Sequence, residues 1–220
     1  ALALMRRVRG LFWCAAGFLV YPTRSPSKKP PARNRVLVII ADTASDEMIG
    51  ARLGGLPVGE RVLRSAIRAG YSRIAVWTPW RQLRWEALSH RLKGRVDLTA
   101  TNNLESWRRL FAANPFAPVT IVLPGIVPSP ALLGSAAKVA PTDDQPLLEI
   151  RLADDQRQTG VLRAFADHVA WGSVIGSAVT YGRGITLSYG GRPGEVVPSV
   201  RVASRADLVK AERQVQHAIF

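Results

Sequence analysis

Residues Val36 to Ala41, with the sequence VLVIIA, form a continuous run of apolar and largely β-branched side chains. Such a run is typical of a strand that is buried on both faces, as in a parallel sheet covered by helices. A loop with Gly54 and Gly55 follows, and Glu60 to Ala69 then predicts an amphipathic helix that ends at Gly70. This order of strand, loop and helix predicts the opening unit of an α/β fold.

The same alternation continues along the chain. The predicted elements are a strand at Ile74–Thr78, a helix at Gln82–Lys93, a strand at Val96–Thr99, a helix with Leu104, Trp107, Leu110 and Phe111 on one face, a strand at Pro118–Leu123 and a helix at Pro130–Ala140. Strands that alternate with helices of about ten residues form βαβ units, and therefore a mainly parallel sheet between helical layers. Ligands in such sheets bind beyond the carboxyl ends of the strands. The segments after Ala41, Thr78 and Leu123 are therefore expected to form a ligand site.

The pattern changes beyond Pro141, where strands are predicted at Leu147–Leu152, Gly184–Ser188 and Val196–Val202. Ser204 and Asp207 predict a capping box for a final helix. The chain thus divides into an N-terminal segment and linker (1–34), an α/β domain (35–203) and a C-terminal helix (204–220).

The positive charge of the chain is concentrated near its N-terminus. The 220 residues carry 30 Lys and Arg against 16 Asp and Glu, which gives a net charge of +14. Residues 1–35 contain eight of these basic residues and no acidic one, so the remainder has 22 basic and 16 acidic residues. Zinc-finger spacing, arginine-rich tracts and RNP-type motifs are absent from the sequence, which disfavours nucleic acid as a partner of the domain. The hydrophobic content of 47% excludes a disordered chain, and the single cysteine excludes a disulfide scaffold.

The N-terminal segment admits three interpretations. The apolar run Leu11–Tyr21 has 11 residues, well short of the roughly 20 that span a bilayer as a helix. It is an interfacial anchor that uses Trp13 and Phe18, an export signal, or an extension upstream of a start at Met5. The Pro-, Ser- and Lys-rich stretch that follows is typical of a flexible linker.

The stretch from Val36 to Thr78 resembles the nucleotidyltransferases of the sugar-phosphate and molybdenum-cofactor type. The shared features, in order, are VLVIIAD, Gly50-Ala51-Arg52-Leu53, Gly55-Leu56-Pro57, Ala69-Gly70 and the second buried strand. The stretch Thr120–Leu133, TIVLPGIVPSPALL, resembles the part of that family with a strand, a metal-binding Asp and a helix. The resemblance covers roughly residues 35–140. It implies a three-layer, Rossmann-like α/β fold with a mainly parallel mixed sheet, followed here by a β-rich extension and a helix.

A closer resemblance is to the degenerate cytidylyltransferase-like module that is fused ahead of CDP-alcohol phosphatidyltransferases. Gly55-Leu56-Pro57 and Ala211-Glu212-Arg213 both fit that variant. The phosphatidyltransferase motif begins with Asp-Gly, a dipeptide that this sequence lacks. The resemblance implies a module that is cut off from, or encoded separately from, a membrane-embedded CDP-alcohol phosphotransferase partner. Its expected location is the cytoplasm, including the inner face of the membrane.

The resemblance also implies a site. The nucleotide-binding positions that it implies are Ala41, Asp42, Thr43, Gly54, Gly55, Leu56, Pro57, Trp80, Pro124 and Gly125. Asp42 is the expected ligand of Mg²⁺, and Arg52 is the expected catalytic residue that contacts phosphate. The expected ligands are CTP or another NTP, together with a phosphorylated polyol or sugar.

Two groups that the reaction needs are missing from these positions. Leu56 stands where the family has a Lys, and Pro124-Gly125 where it has a metal-binding Asp. Losing both removes electrostatic stabilisation of the transition state, so the sequence predicts a catalytically degenerate module that binds a nucleotide or docks a partner. Two alternatives stay open: an active transferase that makes an NDP-sugar or CDP-alcohol, and a basic domain that binds anionic membrane or nucleic acid through residues 1–35.

Overall fold

The computed structural model describes residues 35–92, 94–152, 158–170, 184–187 and 199–219. The strands are β1 (Val36–Ile40), β2 (Arg52–Leu53), β3 (Leu56–Pro57), β4 (Arg73–Trp77), β5 (Asp97–Thr101), β6 (Pro118–Val122), β7 (Ile126–Pro128), β8 (Leu147–Leu152), β9 (Gln158–Phe165), β10 (Gly184–Leu187) and β11 (Ser199–Arg201). The helices are α1 (Thr43–Met48), α2 (Val58–Arg68), α3 (Gln82–Arg91), α4 (Leu104–Ala112), α5 (Pro130–Ala136), α6 (Ala166–Ala170) and α7 (Arg205–Ile219). The predictions for segment 1–34 lie outside the described residues.

Within the described residues, seven strands form one mixed sheet in the order β10-β8-β9-β6-β1-β4-β5. Strand β1 lies in the middle, parallel to both β4 and β6, and β5 continues in parallel beside β4. Strand β9 is antiparallel to β6 and β8, whereas β10 is parallel to β8. The predicted α/β class with a mainly parallel mixed sheet is therefore confirmed.

Helices cover both faces of this sheet, because successive side chains of β1 point to opposite sides. Leu37 and Ile39 belong to one buried cluster, which includes residues of α2, α3, α5 and α7. Val38 and Ile40 belong to a second cluster, with residues of α4 and α6. The continuous apolar run that identified β1 therefore reflects burial on both faces, and the three layers are those expected. No helix among the described residues has the length and apolar character that crossing a membrane requires.

A buried polar network joins β6, β9 and the loop before β4. The Tyr71 hydroxyl lies 2.6 Å from the Thr120 hydroxyl and donates to the Leu133 carbonyl at 3.1 Å. Arg163 donates to the Thr120 hydroxyl at 2.7 Å and to the Val139 carbonyl at 2.9 Å. Burial raises the pKa of Tyr71 and lowers the pKa of Arg163. These hydrogen bonds explain how the Arg163 side chain can be buried within β9, although it interrupts the apolar pattern of that strand.

The structure differs from the sequence prediction in several short elements and in the eight-residue strand β9. The segment between β1 and α2, predicted as a loop, contains α1 and the β2–β3 hairpin, and β7, β9 and α6 were not predicted. Helix α5 ends at Ala136, short of the predicted Ala140. Helix α7 begins as predicted: the Asp207 amide donates to Ser204 Oγ at 3.1 Å. The Asp207 carboxylate accepts from the amide of Ala203, at 3.2 Å, so it reaches one residue beyond the predicted box.

Candidate functional site at the strand ends

The chain reverses its direction of travel across the sheet at β1. From β1 it proceeds to β4 and β5 on one side, and it then returns to place β6 on the other side of β1. In open α/β sheets such a switch point leaves a crevice outside the carboxyl ends of the two strands, and ligands bind there. The crevice here lies next to Asp42, which follows β1, and next to Leu123 and Pro124, which follow β6.

A cavity of about 510 Å³ occupies this position and is called the switch cavity below. Asp42, Leu123 and Pro124 line it from the strand ends. The other lining residues are Ile126, Gly160, Ser199, Val200, Arg201, Asp207, Lys210, Ala211 and Gln214. Its volume lies within the range of roughly 300 to 1,000 Å³ that is usual for small-molecule sites.

The segment after β1 is a short helix rather than an open loop. Asp42 is the N-cap of α1, and its Oδ1 accepts from the Ser45 amide at 2.8 Å. In return the Asp42 amide donates to Ser45 Oγ at 3.0 Å. Because this capping box uses both amides internally, neither is directed at a ligand. Asp42 and Thr43 are exposed, while Ala41 is buried and donates its amide to the Trp77 carbonyl at 2.8 Å.

Asp46, a residue that the sequence analysis missed, ties this helix to the loop after β4. It is 1% exposed. Its carboxylate accepts from the Thr78 hydroxyl at 2.7 and 2.8 Å, from the Trp80 amide at 3.0 Å and from the Arg81 amide at 2.9 Å. Hydroxyl and amide donors, rather than a cation, thus satisfy the buried side chain of Asp46. Asp46 could not be recognised from the sequence, because helix α1 itself was not predicted and its inward-facing positions were therefore unknown.

The β2–β3 hairpin carries five of the predicted positions away from the switch cavity. Gly54 and Gly55 form its turn at φ values of 53° and 81°, which glycine adopts without strain. Arg61 of α2 donates to the Leu53 carbonyl at 2.9 Å and to the Gly54 carbonyl at 3.0 Å. Burial, and secondarily repulsion by Arg68, lowers the pKa of Arg61. The hairpin is thereby fastened to α2.

The predicted site residues therefore separate into several places. Asp42 and Pro124 meet at the switch cavity, and Gly125 adjoins it, where its carbonyl accepts from the Val202 amide at 2.6 Å. Leu56 lines a cavity of about 220 Å³ beside α2. Arg52 and Pro57 line a third cavity, beside α3. Trp80 is 75% exposed on the loop before α3.

The charged residues of the switch cavity come mostly from the C-terminal part of the chain. Strand β11 pairs with β7 in antiparallel register, which brings Arg201 opposite Ile126, and α7 then contributes Asp207 and Lys210. Arg201 and Lys210 could not be predicted as site residues, since no local sequence pattern connects them to β1 and β6. Asp42 and Asp207 each engage one oxygen in a helix cap, and the other oxygen of each lies outside those bonds.

The residue types at the switch cavity suit a phosphorylated ligand. Arg201 and Lys210 are exposed cations that form no ion pair among the described residues. Two carboxylates together with phosphate oxygens are a common ligand set for Mg²⁺, and Asp42 and Asp207 line the same cavity. Within the part of the chain that the structure describes, no group of three or more His, Cys, Asp or Glu side chains is placed to hold a metal ion.

Comparison with known proteins identifies the fold. No family model and no curated protein sequence matches the chain. Among solved structures, HddC from Yersinia pseudotuberculosis in complex with GMP-PN is similar over 82% of this chain and 99% of its own, with a TM-score of 0.53 and 10% identity. The inositol-1-phosphate CTP transferase from T. maritima covers 84% of this chain and 96% of its own, with a TM-score of 0.51 and 15% identity. A nucleotidyl transferase from Methanothermobacter thermautotrophicus, Mth528, covers 84% and 99%, with a TM-score of 0.54 and 16% identity. The chain therefore has a nucleotidyltransferase-like fold.

Proposed function

We propose that the chain is a nucleotidyltransferase-like module that binds a nucleotide, or a related phosphorylated ligand, in the switch cavity and has lost nucleotidyl transfer. The observation that carries the proposal is the position of this cavity at the carboxyl ends of β1 and β6, with Arg201 and Lys210 among its lining residues. Cations at such a crevice favour phosphate. The fold shared with structures that include a GMP-PN complex supports a nucleotide as the ligand.

The hydrogen bonds of the backbone after β1 support the proposed loss of nucleotidyl transfer. Two amides of this segment, those of Asp42 and Ser45, are occupied by their capping box and are not available to a polyphosphate. Arg52, the expected catalytic residue, lines a different cavity from Asp42. Transfer between two polyanions requires several positive groups and amides at one point. In this chain Asp42 and Arg52, the metal-binding and catalytic residues that the resemblance implies, lie at separate cavities.

The finer proposal concerns ligand and partner. We infer that the nucleotide is CTP and that the second ligand is a phosphorylated polyol or sugar. The partner proposed is a membrane-embedded CDP-alcohol phosphotransferase. This proposal rests on the resemblance at Gly55–Pro57 and Ala211–Arg213, and on similarity to the fold of an inositol-1-phosphate CTP transferase.

Titration of the full chain with CTP and Mg²⁺ by calorimetry tests the binding proposal. The variants Arg201→Gln and Lys210→Gln each remove one charged contact with phosphate, so each is expected to weaken binding about tenfold. Lys138→Gln removes an exposed charge that does not line the switch cavity, and it should leave the affinity unchanged. Absence of heat with every NTP at millimolar concentration, or equal losses in all three variants, would contradict the proposal.

One observation favours an active transferase as a second candidate: Asp42 and Asp207 line the same cavity, each with an oxygen outside its cap bond. They are the residues that would hold Mg²⁺, which would neutralise phosphate charge during transfer. If this candidate is correct, pyrophosphate release from CTP and a sugar or polyol phosphate is expected to fall at least about a hundredfold in Asp42→Ala, given several kcal/mol of lost stabilisation. Release that persists in both Asp42→Ala and Asp207→Asn would remove the assignment. Release that is undetectable in the unmodified chain favours the degenerate module.

A further inference from the structure

A second charged cavity lies away from the switch cavity and is called the arginine groove. It has a volume of about 320 Å³. The residues that line it are Ile49, Gly50, Arg52, Pro57, Arg84, Ala87, Leu88 and Arg91. Three of these eight are arginines and none is acidic. The groove therefore combines a strong positive charge with apolar walls.

The two arginines of α3 lie on one face of the helix. Arg84 and Arg91 are seven residues apart, which is about two turns. Arg52 faces them from β2 across the groove. The Arg84 side chain extends over Gly50, since a Cβ built at Gly50 would lie 3.3 Å from Arg84 Nη1. Guanidinium groups in this setting favour phosphate, which they bind with two parallel hydrogen bonds.

These three arginines have no acidic partner among the described residues. The ion pairs in that part of the chain involve Arg64, Arg109 and Arg151 instead. Glu86, the acid of α3, accepts from Gln82 at 3.2 Å and does not line the groove. The positive charge of the groove is thus available to an external anion.

Large apolar side chains are exposed at the beginning of α3, close to Arg84. Trp80 is 75% exposed and Leu83 is 79% exposed. The exposed positions of α3 beyond Leu83 are Arg84, Ala87, His90 and Arg91, again without an acid. An exposed Trp and Leu beside unpaired arginines is the composition of a helix that lies at a lipid–water interface.

We propose that this surface, formed by Trp80, Leu83 and the arginine groove, binds an anionic phospholipid membrane. Trp80 and Leu83 enter the headgroup region, and lipid phosphates bind the arginines of the groove. A soluble phosphate would account for the arginines but would leave the exposed Trp80 and Leu83 without a role. The proposal is independent of the switch cavity and of residues 1–34.

The test uses the full chain with a fluorescent probe placed on this surface. Cys14 is the one cysteine, so Cys14→Ser combined with Leu83→Cys gives a single labelling site for an environment-sensitive dye. Ala112→Cys in the same background is the matched control, because Ala112 is exposed on α4, across the sheet from α3. With vesicles of phosphatidylcholine and phosphatidylglycerol, the dye at position 83 should brighten and shift to the blue, while the dye at 112 should not. The response should be absent with phosphatidylcholine alone and should weaken in high salt.

Charge variants give the second readout. Arg84→Gln with Arg91→Gln is expected to weaken the response at position 83 about 25-fold, because each cation near an anionic surface contributes about fivefold. The double variant Lys138→Gln with Arg205→Gln removes the same amount of charge from exposed positions outside the groove. It should change the response at position 83 by less than about twofold. Vesicle binding without a change at position 83 would overturn the proposal by assigning binding to another segment. A response at position 83 to inorganic phosphate or to a single-stranded oligonucleotide, but not to vesicles, would overturn it as well.

Discussion

Replacing Asp46 with alanine is expected to lower the free energy of unfolding by about 3 kcal/mol, because a hydroxyl and two amides lose their acceptor. The Asp46 carboxylate is buried and accepts from the Thr78 hydroxyl and from the amides of Trp80 and Arg81. Alanine leaves these donors without their acceptor at the point where α1 meets the loop after β4. Denaturant unfolding measured by circular dichroism gives the change in free energy.

Glu47→Ala is the matched control for this prediction. Glu47 is the next residue of the same helix and is exposed, so its replacement should change the free energy of unfolding by no more than about 0.5 kcal/mol. A loss below about 1 kcal/mol in Asp46→Ala would show that water replaces the carboxylate as acceptor. The buried position assigned to the Asp46 carboxylate would then be wrong.

Trp107→Ala is expected to lower the free energy of unfolding by about 3 to 5 kcal/mol, which is the usual cost of removing a large buried aromatic side chain. Trp107 is fully buried between α4 and the sheet. Its ring makes edge contacts with Trp77 and Phe111, at centroid distances of 5.6 and 5.1 Å. Its Nε1 donates to the Val169 carbonyl at 2.9 Å, which fastens α6 to α4. Chemical denaturation is again the measurement.

Two further variants separate the contributions at this position. Trp107→Phe keeps most of the ring contacts but removes the hydrogen bond to Val169, so a smaller loss of about 1 to 2 kcal/mol is expected. Trp80→Ala removes an indole that is 75% exposed, and a change within about 0.5 kcal/mol is expected. Equal losses in Trp107→Ala and Trp80→Ala would contradict the assignment of Trp107 to the core.

Elements with an uninterrupted apolar pattern could be predicted from the sequence, because such a pattern reports burial directly. Strand β1 was recognised from its unbroken apolar run, and α2 from its amphipathic pattern and Gly70. Helix α1 was not predicted, because it has only six residues, TASDEM, and no apolar face of its own. Strand β9 was not predicted because the buried Arg163 interrupts its apolar pattern. Hydrogen bonds to the Thr120 hydroxyl and the Val139 carbonyl make that burial tolerable.

The candidate site was predicted only in part, since local sequence carries no information on what pairs across the sheet. The resemblance to nucleotidyltransferases directed attention to Asp42 and Pro124, which meet at the switch cavity. It also linked Arg52 to that site, although the β2–β3 hairpin holds Arg52 at the arginine groove. Arg201 and Lys210 reach the cavity through the pairing of β11 with β7, which joins segments about 70 residues apart.

The central claim is that a nucleotide binds at the switch cavity, and hydrogen–deuterium exchange of the full chain with and without CTP and Mg²⁺ tests it most directly. Binding there is expected to slow exchange in peptides that cover residues 41–46, 123–126 and 199–214, which contain the segments that line the cavity. Peptides that cover residues 104–112, in α4 on the other face of the sheet, should exchange at an unchanged rate. Protection confined to residues 50–57 and 82–91, which contain the arginine groove, or no protection at saturating nucleotide, would contradict the claim.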